Sequence, residues 1–222
     1  MIELVCCDMA GTTLRDDGLV LEAFQRTLAS LDLDERAAHR AGAYVVETMG
    51  QSKIDVFRAL FADRAEHANQ LFEDHFVDAA RDFGVREITG ARDTLEALQR
   101  AGVGVALTTG FSPATRELLI EQLGWRDLVD VRVSPADAGR GRPAPDMLWV
   151  CALRARVTAM SNVAVVGDTA ADMTAGVRAG AGRRIGVRTG TDDDARLREH
   201  GADLVIDSVS QLFGAIVTDR SL

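Results

Sequence analysis

The chain places acids, hydroxyls and a base where short apolar runs stop. Asp8 closes the run Leu4-Val5-Cys6-Cys7 and opens the turn Met9-Ala10-Gly11-Thr12-Thr13. A second run ends in Thr108-Thr109-Gly110. Arg142 lies in the loop Gly141-Arg142-Pro143-Ala144-Pro145, and a third run ends in Gly167-Asp168-Thr169 with Asp172 one turn later. Singly, such an acid reads as a residue that merely closes a strand. Together, Asp8 and Asp168 make a hard, oxygen-rich site suited to Mg²⁺, which takes one or two carboxylates with substrate phosphate and water. Thr108, the amides of Thr109 and Gly110, and Arg142 would hold phosphoryl oxygens, with Arg142 supplying the cation. The turn amides from Met9 to Thr12 would add further anion donors. A carboxylate beside a metal and a phosphoryl group can act as nucleophile and form an aspartyl-phosphate. The expected chemistry is phosphoryl transfer with Asp8 as nucleophile.

Composition singles out one more residue. Lys and Arg total 25, and Lys53 is the only lysine. Where arginine serves every other cationic position, a retained primary amine suggests chemistry that needs a losable proton. The plainer reading is a surface lysine kept by chance.

The elements that must position these residues follow from periodicity. Residues 2–8 read as a buried strand. Helical spacing then runs through about 70 residues, with helices over 19–31, 34–48, 51–62 and 65–83, and Met49-Gly50 interrupting just before Lys53. From about 91 the pattern alternates: helix 91–101, strand 103–108, and a helix from Ser112-Pro113 with serine at its cap. Strand 129–133, helix 146–156, strand 163–166, a helix carrying Asp172, strand 184–187, a polar helix near 191–199, strand 203–206 and a short final helix complete it. Alternation of this kind implies an α/β fold with a doubly wound parallel sheet, whose strand ends share one crevice. Residues 1–14 and 87–222 would form that core, and residues 15–86 a helical insertion acting as a lid.

Other features set bounds. A formal charge of −9 argues against a nucleic-acid partner. No stretch approaches the roughly 18 apolar residues of a membrane span. Cys6, Cys7 and Cys151 suggest neither a disulfide framework nor zinc spacing. Without a basic leader at the N-terminus, the expected location is cytoplasmic. His39, His67, His75 and His200 read as surface or cap residues, and Tyr44, Trp125 and Trp149 as packing residues.

With these residues in this order, the sequence resembles the haloacid dehalogenase superfamily over nearly its whole length. The resemblance implies a Rossmann-like core with an inserted cap domain, Asp8 as nucleophile, and Mg²⁺ held by Asp8, Asp168 and the Ala10 backbone carbonyl. Thr12 and Asp172 would support the site. Phosphatases of the superfamily carry Asp-x-Asp, whose second acid protonates the leaving alkoxide, and that position is Ala10 here. Loss of a positioned general acid typically costs about 10²–10⁴ in rate. The usual third-motif lysine is Arg142. Asp-x-Ala-Gly-Thr-Thr, Thr-Thr-Gly, Gly-Arg-Pro-x-Pro and Gly-Asp-Thr-x-x-Asp-Met are similar to the phosphonoacetaldehyde hydrolase (phosphonatase) branch. Its cap lysine motif Met-Gly-x-x-Lys is matched by Met49-Gly50-Gln51-Ser52-Lys53.

That branch implies a Schiff base on Lys53 and cleavage of a carbon–phosphorus bond, with Met49 and Gly50 near the substrate and a homodimer through the cap. Phosphonatases also carry a histidine three residues after the lysine and a tyrosine after Thr-Thr-Gly; here these are Val56 and Phe111. The expected substrate is therefore a related 2-oxoalkylphosphonate. Two alternatives stay open: a phosphatase acting on small phosphate monoesters such as phosphoglycolate, and a non-catalytic binder of phosphoryl ligands.

Overall fold

In the computed structural model, which describes residues 1–217, β1 (Leu4–Asp8) runs through the middle of a six-stranded parallel sheet. Every residue of β1 is buried, as a strand covered on both faces requires. Alternation sorts its side chains: Val5 and Cys7 enter one apolar cluster, Leu4 and Cys6 the other. Between β1 and the rest of the sheet lie α1 (Leu19–Ser30), α2 (Glu35–Glu47), α3 (Lys53–Phe61) and α4 (Ala65–Phe83). There follow α5 (Ala91–Arg100), β2 (Gly104–Thr108), α6 (Pro113–Gln122), β3 (Val131–Val133) and α7 (Pro135–Ala138). The chain continues with α8 (Asp146–Arg154), β4 (Val163–Gly167), α9 (Ala170–Ala179), β5 (Arg183–Val187), α10 (Asp194–Glu199), β6 (Leu204–Ile206) and α11 (Leu212–Val217).

The strand order β3-β2-β1-β4-β5-β6 makes the sheet doubly wound about β1. The register sets Asp8 opposite Thr108, so the ends of β1 and β2 are level. The chain turns outward from β1 in both directions, which opens a crevice beyond the carboxyl ends of the central strands.

Several elements differ from the periodicity reading, and in three places a side chain takes a backbone position. β3 begins at Val131 because the Asp130 carboxylate accepts the Val105 N–H at 2.8 Å. α10 starts only at Asp194, because the Asp193 side chain caps it, accepting from the Arg196 N–H at 2.9 Å. The short α7 is closed by a capping box between Ser134 and Asp137, and no apolar periodicity announces it. The caps expected for α6 are present: Ser112 accepts from the Thr115 amide, and Pro113 occupies the first turn.

The helices of 19–83 pack about aromatic rings. Phe24 meets Phe57 and Phe72 at 5.3 and 4.5 Å between centroids, and Phe72 stacks near Phe76 at 6.3 Å. Phe111, from the loop after β2, enters the same cluster, 4.3 Å from Phe76. Two linkers join this helical block to the sheet and run beside each other: the Arg15 N–H donates to the Arg86 carbonyl and the Ile88 N–H to that of Thr13. Among the described residues no helix is long and apolar enough to cross a membrane.

Candidate active site

A cavity of about 590 Å³ opens where the helical block faces the ends of β1, β2, β4 and β5. Asp8, Ala10, Asp168, Arg142, Thr109, Gly110, Met49, Gly50 and Lys53 all line it. The sequence placed these residues on separate strand ends and in the lid; the topology brings them to one space.

The acids are held tightly. Arg142 pairs with Asp8 at 2.6 Å and with Asp172 on its other side, so one guanidinium bridges two motifs. Its Nε–H has no partner among the described residues. Asp172 is itself fixed by the capping box of α9, accepting from the Thr169 hydroxyl at 2.5 Å and its amide at 3.2 Å. Asp168 accepts from the Thr12 hydroxyl at 2.9 Å on one oxygen and from the Thr191 amide at 2.9 Å on the other. Thr12 and Asp172 therefore position charged groups and do not line the cavity.

Carboxylate oxygens of Asp8, Asp168 and Asp172 lie within 4.8 Å of one another, and all three residues are buried. Burial pushes Asp168 up to about 8, and the charges of Asp8 and Asp172 push it the same way. Asp8 is raised to about 6, again first by burial and then by Asp172, against the pull of Arg142. A cluster that strains against its own ionisation is one a cation would relieve. The candidate ligands at this point are hard carboxylate oxygens, which fit Mg²⁺, with the Arg142 guanidinium beside them.

Several donor assignments are corrected. The Thr109 N–H donates to the Val133 carbonyl at 3.2 Å as part of the sheet edge, so it is not free for a ligand. The donor from Thr109 is its hydroxyl, which accepts the Phe111 N–H at 3.3 Å and keeps its own proton to give. Thr108 does not line the cavity; its hydroxyl lies 3.5 Å from the Cys7 carbonyl. In the turn after Asp8, Gly11 and Thr12 donate to Leu14 and Met9 carbonyls, which removes both amides from the expected anion donors.

Lys53 is 7 % exposed and lies at the first position of α3. Its Nζ sits 5.5 Å from the centre of the Phe111 ring and 5.9 Å from that of Phe24. It makes no hydrogen bond or ion pair among the described residues. Burial lowers its pKa from the ordinary lysine value, Arg142 lowers it further, and Asp8, Asp16 and Glu73 act against this. The residue is neither a solvated surface lysine nor half of a salt bridge.

Close backbone approach sets where the amine stands. A Cβ on Gly50, which has φ +84°, would lie 2.3 Å from the Thr169 hydroxyl. One on Gly110 would lie 2.8 Å from the Gln51 carbonyl. These two glycines let the loop before α3 press on the core loops. The Lys53 N–H then donates to the Gly110 carbonyl at 3.3 Å. Glu73 of α4 adds a second tie, accepting from the Ser112 amide and hydroxyl, each at 2.9 Å.

Sequence reasoning missed Glu73, Asp16 and the Thr189-Gly190-Thr191 turn after β5. That turn lines the cavity, and the Thr189 hydroxyl donates to the Gly11 carbonyl at 2.6 Å. Its position at a strand end was the available signal. None of the histidines, and none of Tyr44, Trp125 and Trp149, lines the cavity. Trp125 is fully buried as a packing residue, whereas Trp149 is 42 % exposed and donates to the Ala179 carbonyl.

Comparison with known proteins agrees with this geometry. Residues 2–180 match the family model described as haloacid dehalogenase-like hydrolase. A phosphonoacetaldehyde hydrolase of Parabacteroides distasonis is 32 % identical over 215 residues, covering 85 % of this chain and 77 % of the relative. Another, from Bacillus cereus, is 27 % identical over 204 residues, covering 81 % and 73 %. A crystal structure of a phosphonoacetaldehyde hydrolase-like protein from Oleispira antarctica superposes with a TM-score of 0.82, at 22 % identity, over 98 % of this chain and 92 % of that one.

Proposed function

The chain belongs to the haloacid dehalogenase-like hydrolase family, on its phosphonoacetaldehyde hydrolase-like branch, and from that premise we propose that it hydrolyses the carbon–phosphorus bond of a 2-oxoalkylphosphonate. The observation that carries this reading is the buried, unpaired amine of Lys53 lining the same cavity as Asp8. Hydrolysing a phosphate ester needs no neutral amine nucleophile. Cleaving carbon from phosphorus does, because the leaving carbon must accept an electron pair.

The steps follow from the residues. The Lys53 amine adds to the substrate carbonyl and water is lost, which leaves a protonated imine. Asp8 then attacks phosphorus, and the carbon–phosphorus pair moves toward the imine nitrogen, so the organic fragment departs as a neutral enamine. Water releases phosphate from the Asp8 acyl-phosphate and aldehyde or ketone from Lys53. No oxygen leaving group needs a proton, which accounts for Ala10 where phosphatases carry an acid. Arg142, the Thr109 hydroxyl and the Gly110 amide would hold the phosphoryl oxygens. Asp8, Asp168 and the Ala10 carbonyl would hold Mg²⁺, which supplies charge neutralisation at the phosphoryl group. Residues 15–86 act as the cap that brings Lys53 and keeps water out.

Borohydride reduction with phosphonoacetaldehyde and longer 2-oxoalkylphosphonates tests the reading. A reduced adduct on the peptide holding Lys53, with Mg²⁺-dependent phosphate release, is the expected result. Turnover of phosphate monoesters that persists in Lys53→Arg, with no adduct from any ketophosphonate, would assign the site to ester hydrolysis instead.

A further inference from the structure

Forming an imine requires two proton movements, and the groups around Lys53 leave few candidates for them. The charged residues acting on its amine are Arg142, Asp8, Asp16 and Glu73. Arg142 cannot lose a proton under ordinary conditions and is paired with Asp8 and Asp172. Asp8 is the phosphoryl acceptor, held 2.6 Å from Arg142. Glu73 accepts two hydrogen bonds from Ser112, which tie both its oxygens to the loop after β2. The Phe24 and Phe111 rings beside the amine carry no proton to move.

Asp16 alone of these acids is held only by backbone amides, those of Val20 and Gly18. It lines the cavity with Lys53, and one of its oxygens accepts the Val20 N–H at 3.0 Å at the start of α1. No side chain bonds to it or pairs with it among the described residues. Arg15 and Asp17, its neighbours on the cavity rim, pair with each other at 3.2 Å, and Asp17 also takes Arg86 at 2.9 Å. The rim charges therefore satisfy one another and leave Asp16 without an ion-pair partner among the described residues.

We infer that Asp16 is the acid–base catalyst of imine formation at Lys53, an inference that rests on the carbon–phosphorus reading above. When the Lys53 nitrogen bonds to the carbonyl carbon, the carbonyl pair moves to oxygen. The proton shed by nitrogen passes by way of Asp16 to that oxygen, giving the carbinolamine. Asp16, as the neutral acid, then protonates the hydroxyl; the nitrogen lone pair forms the C=N bond and water departs. The result is a protonated imine beside a carboxylate, and one proton has been transferred from Asp16 to the departing water. Burial raises the Asp16 carboxyl and lowers Lys53. Asp17 also raises Asp16, while Lys53 and the Val20 and Gly18 amides lower it.

Single-turnover borohydride trapping with phosphonoacetaldehyde, followed across pH, is the test. Asp16→Asn keeps an oxygen for the Val20 amide and should slow adduct formation by about 10²–10⁴-fold, the usual yield of general acid–base catalysis. Asp16→Ala should be slow as well and regain rate with added formate, whereas Asp16→Glu should keep trapping with a displaced pH profile. Adduct formation at the wild-type rate and with the wild-type profile in Asp16→Asn overturns the inference and leaves the carbon–phosphorus reading standing. Losses that neither formate nor glutamate restores overturn it too, because they mark a structural role. No adduct in the wild-type enzyme with phosphonoacetaldehyde or any longer 2-oxoalkylphosphonate overturns both.

Discussion

The two walls of the cavity are built on opposite principles. On the sheet side every charged group is multiply bonded: Asp168 by Thr12 and Thr191, Asp172 by Thr169 and Arg142, Asp8 by Arg142. On the helical side Lys53 has no polar side-chain partner among the described residues and faces two phenyl rings. Charge is fixed in the first wall and solvent removed in the second. A phosphoryl group carries charge at several oxygens and needs donors that do not reorganise. An amine nucleophile needs its proton gone, which burial achieves and a salt bridge would prevent.

The largest effects should come from removing one wall's chemistry at a time. Asp8→Asn is expected to abolish phosphate release from ketophosphonates and phosphate esters alike. Lys53→Arg should abolish only the former, each loss being on the order of 10⁴–10⁶-fold, as for other covalent nucleophiles. Equal losses on both substrate types in Lys53→Arg would show that the walls do not divide the labour in this way. Next in size is the support of Asp168. Thr12→Val should raise the Mg²⁺ concentration needed for half-maximal phosphate release by about 10–100-fold, the usual effect of a lost second-layer hydrogen bond. An unchanged Mg²⁺ titration would remove Thr12 from the site.

The tie between the walls should matter less to chemistry than to stability. Glu73→Ala leaves the Ser112 amide without its acceptor and is expected to destabilise the fold by about 1–3 kcal/mol, read as a lowered melting temperature. The smallest effect sharpens the solvent-removal side. Because burial disfavours the Lys53 ammonium, the rising limb of the trapping profile should have its midpoint below the ordinary lysine value of 10.5. Phe111→Ala admits water, favours the ammonium and should move that midpoint upward. A downward move would mean the rings do not set the amine's proton affinity.

Much of this was readable from the chain. β1 and the strands beside it are short continuous apolar runs that alternate with helical segments, so strand placement and a doubly wound sheet follow from pattern alone. Asp8, Arg142 and Asp168 each lie next to a turn signal at a strand end, a local feature that needs no partner to be seen. Lys53 stood out because composition left it alone among the cations.

Orientation was not readable. Which threonine of Thr108-Thr109 faces the ligand depends on a hydrogen bond to β3, and the sequence pattern of two adjacent threonines is the same either way. Asp16 looks like one of two rim acids until Asp17 is seen to pair with Arg15 and Arg86, the latter 69 residues on. Glu73 meets Ser112 across 39 residues, and Thr189 meets Gly11 across 178. Periodicity and turn chemistry act over a few residues, so the sequence by itself determined the elements and the residues at their ends. Contacts across the fold have no such local signal, and only the tertiary structure decided which of those residues are bonded to one another and which are left free to react.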